Sequence, residues 1–263
     1  MIEDIENFMA KLPMTKSVDI VKIDASGLVA LNKPAGILSH PNPKNATGKQ
    51  SRALFDCPYN FKDECYSYKT KEGEKLKLYL VNRLDSHTSG LILVATNSDV
   101  ATQAKLAFKN HKVQKEYLAI CLGRPLAKKG VFRDFIKTTN SSNKFVRSNI
   151  ENANKNFNAE CYYSLLKGDI NNLNLSLLSL KPTTGKTHQL RIQCANKRLP
   201  ILGDATYGNF MRNKDIKRKT KVDRLCLHCK NISLQLHLDD KKINFEASAQ
   251  MPQSFTKLIE KSI

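Results

Sequence analysis

The sequence predicts an α+β protein built on a largely antiparallel, mixed central sheet flanked by helices and loops. Two observations carry that class. Many short segments repeat their apolar residues with the period of two that a half-buried strand needs, and only a few show the 3.6 period of a helix. A third observation sets the organisation: the 263 residues contain no internal repeat and no composition break that marks a linker. Residues 18–263 are therefore expected to form one domain behind a lead segment of residues 1–17.

Residues 1–16 read as a short helical lead. Strand patterns begin near Val18 and resume at Gly27 to Asn32, ending in the turn that Pro34 and Gly36 make in LNKPAGILSHP. From Pro41 to Lys75 the chain is turn-rich and has no firm period. In KLKLYLVNRLD, Leu76, Leu78 and Leu80 alternate with Lys77, Tyr79 and Val81, which predicts a half-buried strand. Extended as far as Asp85, it turns Arg83 and Asp85 to the same face. SHTSG then loops into GLILVAT, an unbroken apolar run that reads as a strand buried on both faces, and SDVATQAKLAFKN follows as a helix capped by Ser98. VQKEYLAICLG is the next strand. Residues 124–156 are polar, basic and poorly patterned, and are expected to be loops or an irregular insertion. NAECYYSLL and NLNLSLLSLK give two more strands. PTTGKTHQLRIQCANKR opens with a turn and enters a helix capped by Thr184 or Thr187, with His188, Arg191 and Ala195 on one face. A basic stretch, MRNKDIKRKTKVDR, precedes alternating strands in ISLQLHL and KINFEA, and QSFTKLIEKSI reads as a closing helix.

Lysine and arginine number 43 against 24 acidic residues, a net charge of +19, and a surplus of that size points to a polyanionic partner. A hydrophobic fraction of 41% and a charged fraction of 25% belong to a globular chain that fills its core without disulfides or metals, which excludes wholesale disorder. Seven cysteines, an odd count without regular spacing, fit a reducing compartment better than a disulfide framework. The longest clean apolar run, Leu91 to Ala95, is far too short to cross a bilayer. The first residues, MIEDIENFMAKLP, carry acids where an export or organelle address carries base. A cytoplasmic monomer with no membrane partner is the expectation.

Asp85 is the sharpest candidate for chemistry. It is a carboxylate at the end of a well-patterned strand, two residues from Arg83 and followed by the small-residue loop SHTSG, whose glycine lets backbone approach a ligand. The competing reading is a turn aspartate that caps this loop. A paired arginine keeps such a carboxylate ionised even when partly buried, which suits a nucleophile better than a general acid. Arg191 is a candidate partner or phosphate clamp, set against the plainer reading of a solvated helix arginine. Tyr117 shares a strand face with Lys115 and is a core tyrosine or, beside nucleic acid, a ring that stacks on a base. Gly185, Lys186 and Thr187 resemble the end of a phosphate-binding loop, but that motif needs a glycine where Leu180 stands, so an NTPase is not expected. Cys226 and Cys229 form a CxxC without a second ligand pair at finger spacing, and read as core rather than metal ligands.

With these residues in view, the chain resembles the RluA family of pseudouridine synthases, which isomerise uridine to pseudouridine in ribosomal and transfer RNA. The resemblance runs in order through LNKPAGILSHP, NRLDSHTSGLILVAT, VQKEYLA, LKPTTGKTHQLRIQCA, PILGDATYG and RLCLHC, and covers most of residues 27–230. It implies the pseudouridine synthase catalytic fold, with Asp85 as the catalytic aspartate, Arg191 as its buried ion-pair partner and Tyr117 packed on the target base. It also implies that Arg83 helps extrude the uridine and fills the space left in the RNA stack. Lys115, Lys186 and His188 are further candidate contacts to RNA or the base. No metal or small-molecule cofactor is implied. The family usually has histidine where Asn82 stands, arginine where Lys186 stands and histidine where Gln193 stands. Lysine at 186 keeps the charge and loses the bidentate fork.

About 26 residues precede the first shared motif, which leaves no room for the small helical RNA-binding domain that many relatives carry. Target recognition is then expected to fall on the catalytic domain. The candidate RNA contacts are the insertion of residues 127–156 and the basic stretch from Arg212 to Arg224, which includes Lys217, Arg218, Lys219 and Lys221; a solvated charged loop is the competing reading of the latter. Two rival functions stay open at this point. A non-catalytic RNA-binding protein of the same fold, for instance in ribosome assembly, has no use for a carboxylate facing its anionic ligand. A nucleoside-type glycoside hydrolase calls for a second carboxylate as acid, and no acid near these motifs fills that role.

Overall fold

The computed structural model describes residues 1–43, 52–137, 157–238 and 241–260. In chain order these contain α1 (Ile2–Lys11), β1 (Asp19–Ile23), β2 (Leu28–Lys33), β3 (Tyr59–Asn60), β4 (Cys65–Lys69), β5 (Lys75–Leu80), β6 (Ser89–Ala95) and α2 (Ser98–Lys109). There follow β7 (Gln114–Leu122), β8 (Lys129–Asp134), β9 (Ala159–Lys167), β10 (Leu175–Pro182), α3 (Gln189–Asn196), α4 (Phe210–Thr220), β11 (Leu227–Leu238), β12 (Lys241–Ser248) and α5 (Gln253–Glu260). The class is α+β, as expected. Contacts divide the chain into two units, one of Met1–Val113 with Asn231–Gln250, the other of Gln114–Lys230 with Met251–Ile263.

In the first unit β6 lies between β2 and β5, both antiparallel to it, and all seven of its residues are buried. That is the environment its unbroken apolar run calls for. β5 continues through β4 to β3, β1 covers the outer edge of β2, and residues 231–238 of β11 form a hairpin with β12. Ile5 and Met9 of α1 bury in the same cluster as Val29, Leu31, Ile92 and Val94, so the lead helix is packed and not a loose tail. α2 buries Val100, Ala101, Ala104 and Ala107, the three-and-four spacing of one helix face. Its cap is Asn97, whose side chain accepts the Val100 N–H at 2.9 Å; Ser98 is the first helical residue. β3 and β4 fall within the stretch read as turn-rich and without a firm period. They are held by rings instead of a period: Tyr66 meets Phe55 at 5.0 Å and Tyr59 at 4.9 Å between centroids.

The second unit orders its strands β7, β10, β9, β8, each pair antiparallel. Its core gathers Leu118 to Leu122, Leu175 to Leu180, Leu190 and Cys194 of α3, Ile216 of α4, and Phe255 and Leu258 of α5. Cys226 lies in this core and Cys229 is likewise fully buried, in keeping with the core reading of the CxxC. β8 corrects the expectation of an unstructured stretch from residue 124. Lys129, Gly130 and Arg133 obscure its period, but Phe132 is buried and stacks on Tyr163 at 4.5 Å, and the Tyr163 ring lies where a side chain at Gly130 would stand. Residues 138–156 of the expected insertion lie outside the described residues. The basic stretch is a helix, α4, anchored by the fully buried Ile216 and capped by Asn209, whose side chain accepts the Arg212 N–H.

Gly203 joins the strand-like segment at Ile201 to the loop that leads into α4. Its φ is +76° and an added Cβ would stand 1.9 Å from the carbonyl oxygen of Arg224. Replacement by alanine is expected to cost about 3 kcal/mol, from left-handed backbone plus displaced main chain. A urea melt of Gly203→Ala within about 1 kcal/mol of wild type would show that this close approach yields.

Candidate active site and nucleic-acid interface

The Asp85 segment is assembled by groups that sequence patterning does not reveal. β5 ends at Leu80, and beyond it the chain stays extended against β6: the Val81 N–H donates to the Leu93 carbonyl, and the Leu93 N–H donates to the Asn82 side chain at 2.7 Å. Asn82 thus supplies an acceptor where the backbone ladder stops. Burial alternates over the next residues, with Arg83 exposed, Leu84 buried and Asp85 half-buried, so Arg83 and Asp85 share a side as expected. Ser39 clips the middle of the segment, its hydroxyl accepting the Leu84 N–H at 3.0 Å and donating to the Leu84 carbonyl at 2.9 Å. The Tyr66 hydroxyl in turn donates to the Ser39 carbonyl. A turn closes behind the carboxylate, with the Thr88 N–H on the Asp85 carbonyl at 3.0 Å.

Lys33 is the residue that sequence reasoning missed here. It is fully buried, and its ammonium donates to the carbonyls of Ile37 at 2.7 Å, Pro34 at 3.0 Å and Ser86 at 3.0 Å. Three donors meet three acceptors, which is how a lysine is kept out of water at tolerable cost. The Gly36 N–H joins on the same Ser86 carbonyl at 2.7 Å, from a backbone with φ of +90°. The NKPAG turn and the residue after Asp85 are therefore one hydrogen-bonded body.

The second unit holds Tyr117, Lys115, Lys186, His188 and Arg191. Tyr117 pairs with Leu180 across the β7–β10 ladder and packs half-buried on the core. Lys115, two residues earlier on the same face, donates to the Thr184 carbonyl at 3.4 Å, and burial pushes its ammonium below the ordinary lysine range. α3 begins later than its sequence predicts. His188 occupies the cap position with φ of 55° and makes no side-chain cap bond, while the Thr184 hydroxyl donates to Gln189 at 2.8 Å. Gln189 also accepts the Lys186 N–H at 3.0 Å and donates to the Glu160 carbonyl and to Gln193. Gln193 reaches the Phe132 and Ala159 carbonyls and the Asp134 carboxylate. This buried amide pair fixes the backbone of the TTGKT loop and leaves the Lys186 side chain exposed.

Arg191 has an acid that the sequence left without a role. Asp204, in GDATYG and 2% exposed, takes the guanidinium in a fork: Nε on Oδ2 at 2.7 Å and Nη2 on Oδ1 at 2.9 Å. The N–H groups of Thr206 and Tyr207 donate to the same carboxylate, and the Arg191 guanidinium lies over the Tyr207 ring at 5.2 Å. Tyr207 bonds His188 through its hydroxyl at 3.0 Å. Burial alone would raise the Asp204 carboxyl, but the Arg191 hydrogen bonds and those two N–H groups outweigh it and hold it below the usual value.

α4 presents Arg212, Lys214, Lys217, Arg218 and Lys219 to solvent, with Lys221 just beyond its end. Asn213 fastens the helix to the arginine site, accepting the Gly203 N–H and donating to the Asp204 carbonyl. Lys217 is 2.5 Å from Asp223, while Arg218 and Lys219 share Asp215 at 3.0 and 3.2 Å. These are exposed pairs that cost little to exchange for phosphate.

Asp204→Asn takes from the buried Arg191 guanidinium the carboxylate that grips it in a fork and is expected to cost about 3–5 kcal/mol at pH 7. Because the folded carboxyl titrates below the ordinary 3.8, the pair's contribution is complete above that value and fades as pH falls through the folded pKa. Urea melts from pH 7 to pH 3 should show the gap between wild type and Asp204→Asn narrowing only at the acid end; a gap that is small or independent of pH would deny the pair its stabilising role.

Comparison with known proteins identifies the family. A family model described as RNA pseudouridylate synthase matches residues 27–196. Ribosomal large subunit pseudouridine synthase C of Rickettsia felis is 35% identical over 252 residues, 95% of this chain and 73% of the relative. The tRNA pseudouridine synthase C of Haemophilus ducreyi is 33% identical over 210 residues, covering 77% of this chain and 79% of the relative. Among solved structures, Human RNA Pseudouridylate Synthase Domain Containing 1 shares the fold with a TM-score of 0.61 at 22% identity, over 93% of this chain and 94% of that one. The family match and the ordered Asp85, Tyr117 and Arg191 segments agree: the chain belongs to the RNA pseudouridylate synthase family and is an isomerase.

Proposed function

We propose that this isomerase converts specific uridines of ribosomal or transfer RNA to pseudouridine, with Asp85 as the catalytic carboxylate and the target base flipped out of its helix. The observation that carries the reading is the hold on the Asp85 segment, where Ser39, Asn82 and the buried Lys33 fix the backbone on both sides of the carboxylate. A carboxylate so fixed suits a reaction at one atom. The bond from uracil N1 to ribose carbon 1 breaks, the uracil turns over, carbon 5 joins carbon 1, the hydrogen of carbon 5 leaves as a proton, and the freed N1 takes one up. Asp85 either attacks carbon 1 or stabilises positive charge there. Tyr117 packs on the base, Arg191 completes the catalytic group, and Arg83 fills the gap in the RNA stack.

Flipping costs a few kcal/mol, which stacking and phosphate contacts offset. Lys115, Lys186 and His188 are assigned to the nucleotide, and Arg212, Lys217, Arg218, Lys219 and Lys221 to the RNA backbone, where the net charge of +19 favours association. The names of the relatives, one acting on the large ribosomal subunit and one on tRNA, support both RNA classes as substrates. The reading is of a cytoplasmic monomer, working as a single catalytic domain without metal or cofactor. No helix among the described residues is long and apolar enough to cross a membrane.

Asp85→Asn is expected to abolish tritium release from carbon 5-labelled RNA while binding stays within about threefold, since the amide is nearly isosteric and binding rests on the basic surface. A thermal melt separates lost chemistry from lost fold. A folded Asp85→Asn protein within tenfold of wild-type turnover, about 1.4 kcal/mol in barrier, would remove Asp85 from the mechanism. Replacing Lys217, Arg218, Lys219 and Lys221 by glutamine should weaken binding and flatten the salt dependence by roughly 0.7 to 0.9 for each phosphate left without its cation. An unchanged slope would return α4 to an ordinary solvated helix.

A further inference from the structure

α4 begins with an apolar tip at a place where solvent should favour a polar one. Phe210 is 79% exposed and Met211 is 81% exposed, and Phe210 is the most exposed aromatic among the described residues. A single exposed apolar residue needs no explanation, but two adjacent ones are a patch. Their surroundings are cationic. Lys214 follows Phe210 by four residues and Met211 by three, and Arg218 follows Lys214 by four, so the tip and these cations lie along one stripe. Ile216, fully buried, faces the opposite way and anchors the helix. From Arg212 to Arg224 the chain has seven basic residues and two acids, Asp215 and Asp223.

We infer that Phe210 and Met211 form a stacking platform for an unpaired base of the bound RNA, next to the backbone that the lysines and arginines of α4 contact. The inference rests on the RNA reading above and deepens it. A polyanion that also carries flat apolar surface is the partner complementary to this stripe, and unpaired nucleotides supply both at the right spacing. Base stacking on an aromatic is indifferent to salt, whereas phosphate contacts are not, so the tip and the cations have separable signatures. The platform selects RNA by exposed bases, which directs the enzyme toward loops and bulges and away from continuous duplex.

The test is the binding of Phe210→Ser/Met211→Ser to two labelled RNAs, a stem-loop and a fully paired duplex of the same length, over a salt series. Both side chains are exposed, so the melting temperature should not move. Expected is a roughly five- to hundredfold loss on the stem-loop, little change on the duplex, an unchanged salt slope on both, and recovery in Phe210→Tyr/Met211→Ser. Unchanged stem-loop affinity, or equal loss on the two RNAs, would overturn the platform while leaving the RNA reading intact. Absence of any wild-type RNA binding would overturn both. Binding to phosphatidylglycerol vesicles that disappears in the double variant, with RNA binding unaffected, would also overturn it and assign the tip to an anionic lipid surface.

Discussion

A lysine that never reaches water governs the first unit. The Lys33 ammonium is saturated by the carbonyls of Pro34, Ile37 and Ser86, and these belong to two turns far apart in sequence. An unpaired buried ammonium is prohibitive, so the two turns cannot separate without exposing or orphaning it. The turn that follows Asp85 and the Ser39 clip on Leu84 both hang on that closure. Ser39 can clip Leu84 only because the chain after Gly36 is brought alongside, and Tyr66 can brace Ser39 only while β4 lies on β5. The cation contributes by making one backbone arrangement cheaper than its alternatives, which is specificity more than net stability.

The second unit uses a different device, a carboxylate that grips a guanidinium in a fork. Asp204 holds Arg191 with both oxygens, so the guanidinium has a fixed plane and a fixed height over Tyr207. A lysine at this position would hold neither. The amide pair Gln189 and Gln193 does the same for the preceding loop with no charge at all. Each of these groups is satisfied several times over, and a network in that condition is stiff. Stiffness suits an isomerase, whose own groups must stay put while its substrate rearranges.

How much of this was legible in the sequence divides along physical lines. Elements that bury a periodic face were legible, as β5, β7, β9, β10, the β11–β12 hairpin and α2 all follow from apolar spacing, and β6 was legible from its unbroken apolar run. β3 and β4 were not, because rings and not a repeat hold them. β8 was not, because Gly130 and its charged neighbours hide a strand that Phe132 and Tyr163 create across the ladder. α4 was seen as charge alone, since one isoleucine and one asparagine cap carry its helical information. Asp85, Arg191 and Tyr117 stood out as members of ordered motifs. Lys33 and Asp204 stood in those same motifs and stayed silent. Lysine and aspartate are surface residues by default, and only the folded chain reveals which of them are enclosed. A lysine followed directly by a Pro-Ala-Gly turn was the one available signal.

β11 belongs to both units, Leu227–Lys230 to the second and Asn231–Leu238 to the first, and the chain returns to the second at Met251. Neither unit is a continuous stretch of sequence. The first lacks a hairpin until residue 250 has been made, and the second lacks Phe255 and Leu258 of its core until α5 exists. A ribosome delivers these pieces only after the rest of both units. The nascent chain must therefore wait, with apolar strands such as β6 already outside the exit tunnel, for a closing segment that commits both units almost together. Synthesis speed over the codons for residues 231–260, and chaperone cover for the strands made before them, then become determinants of how much active enzyme a cell obtains.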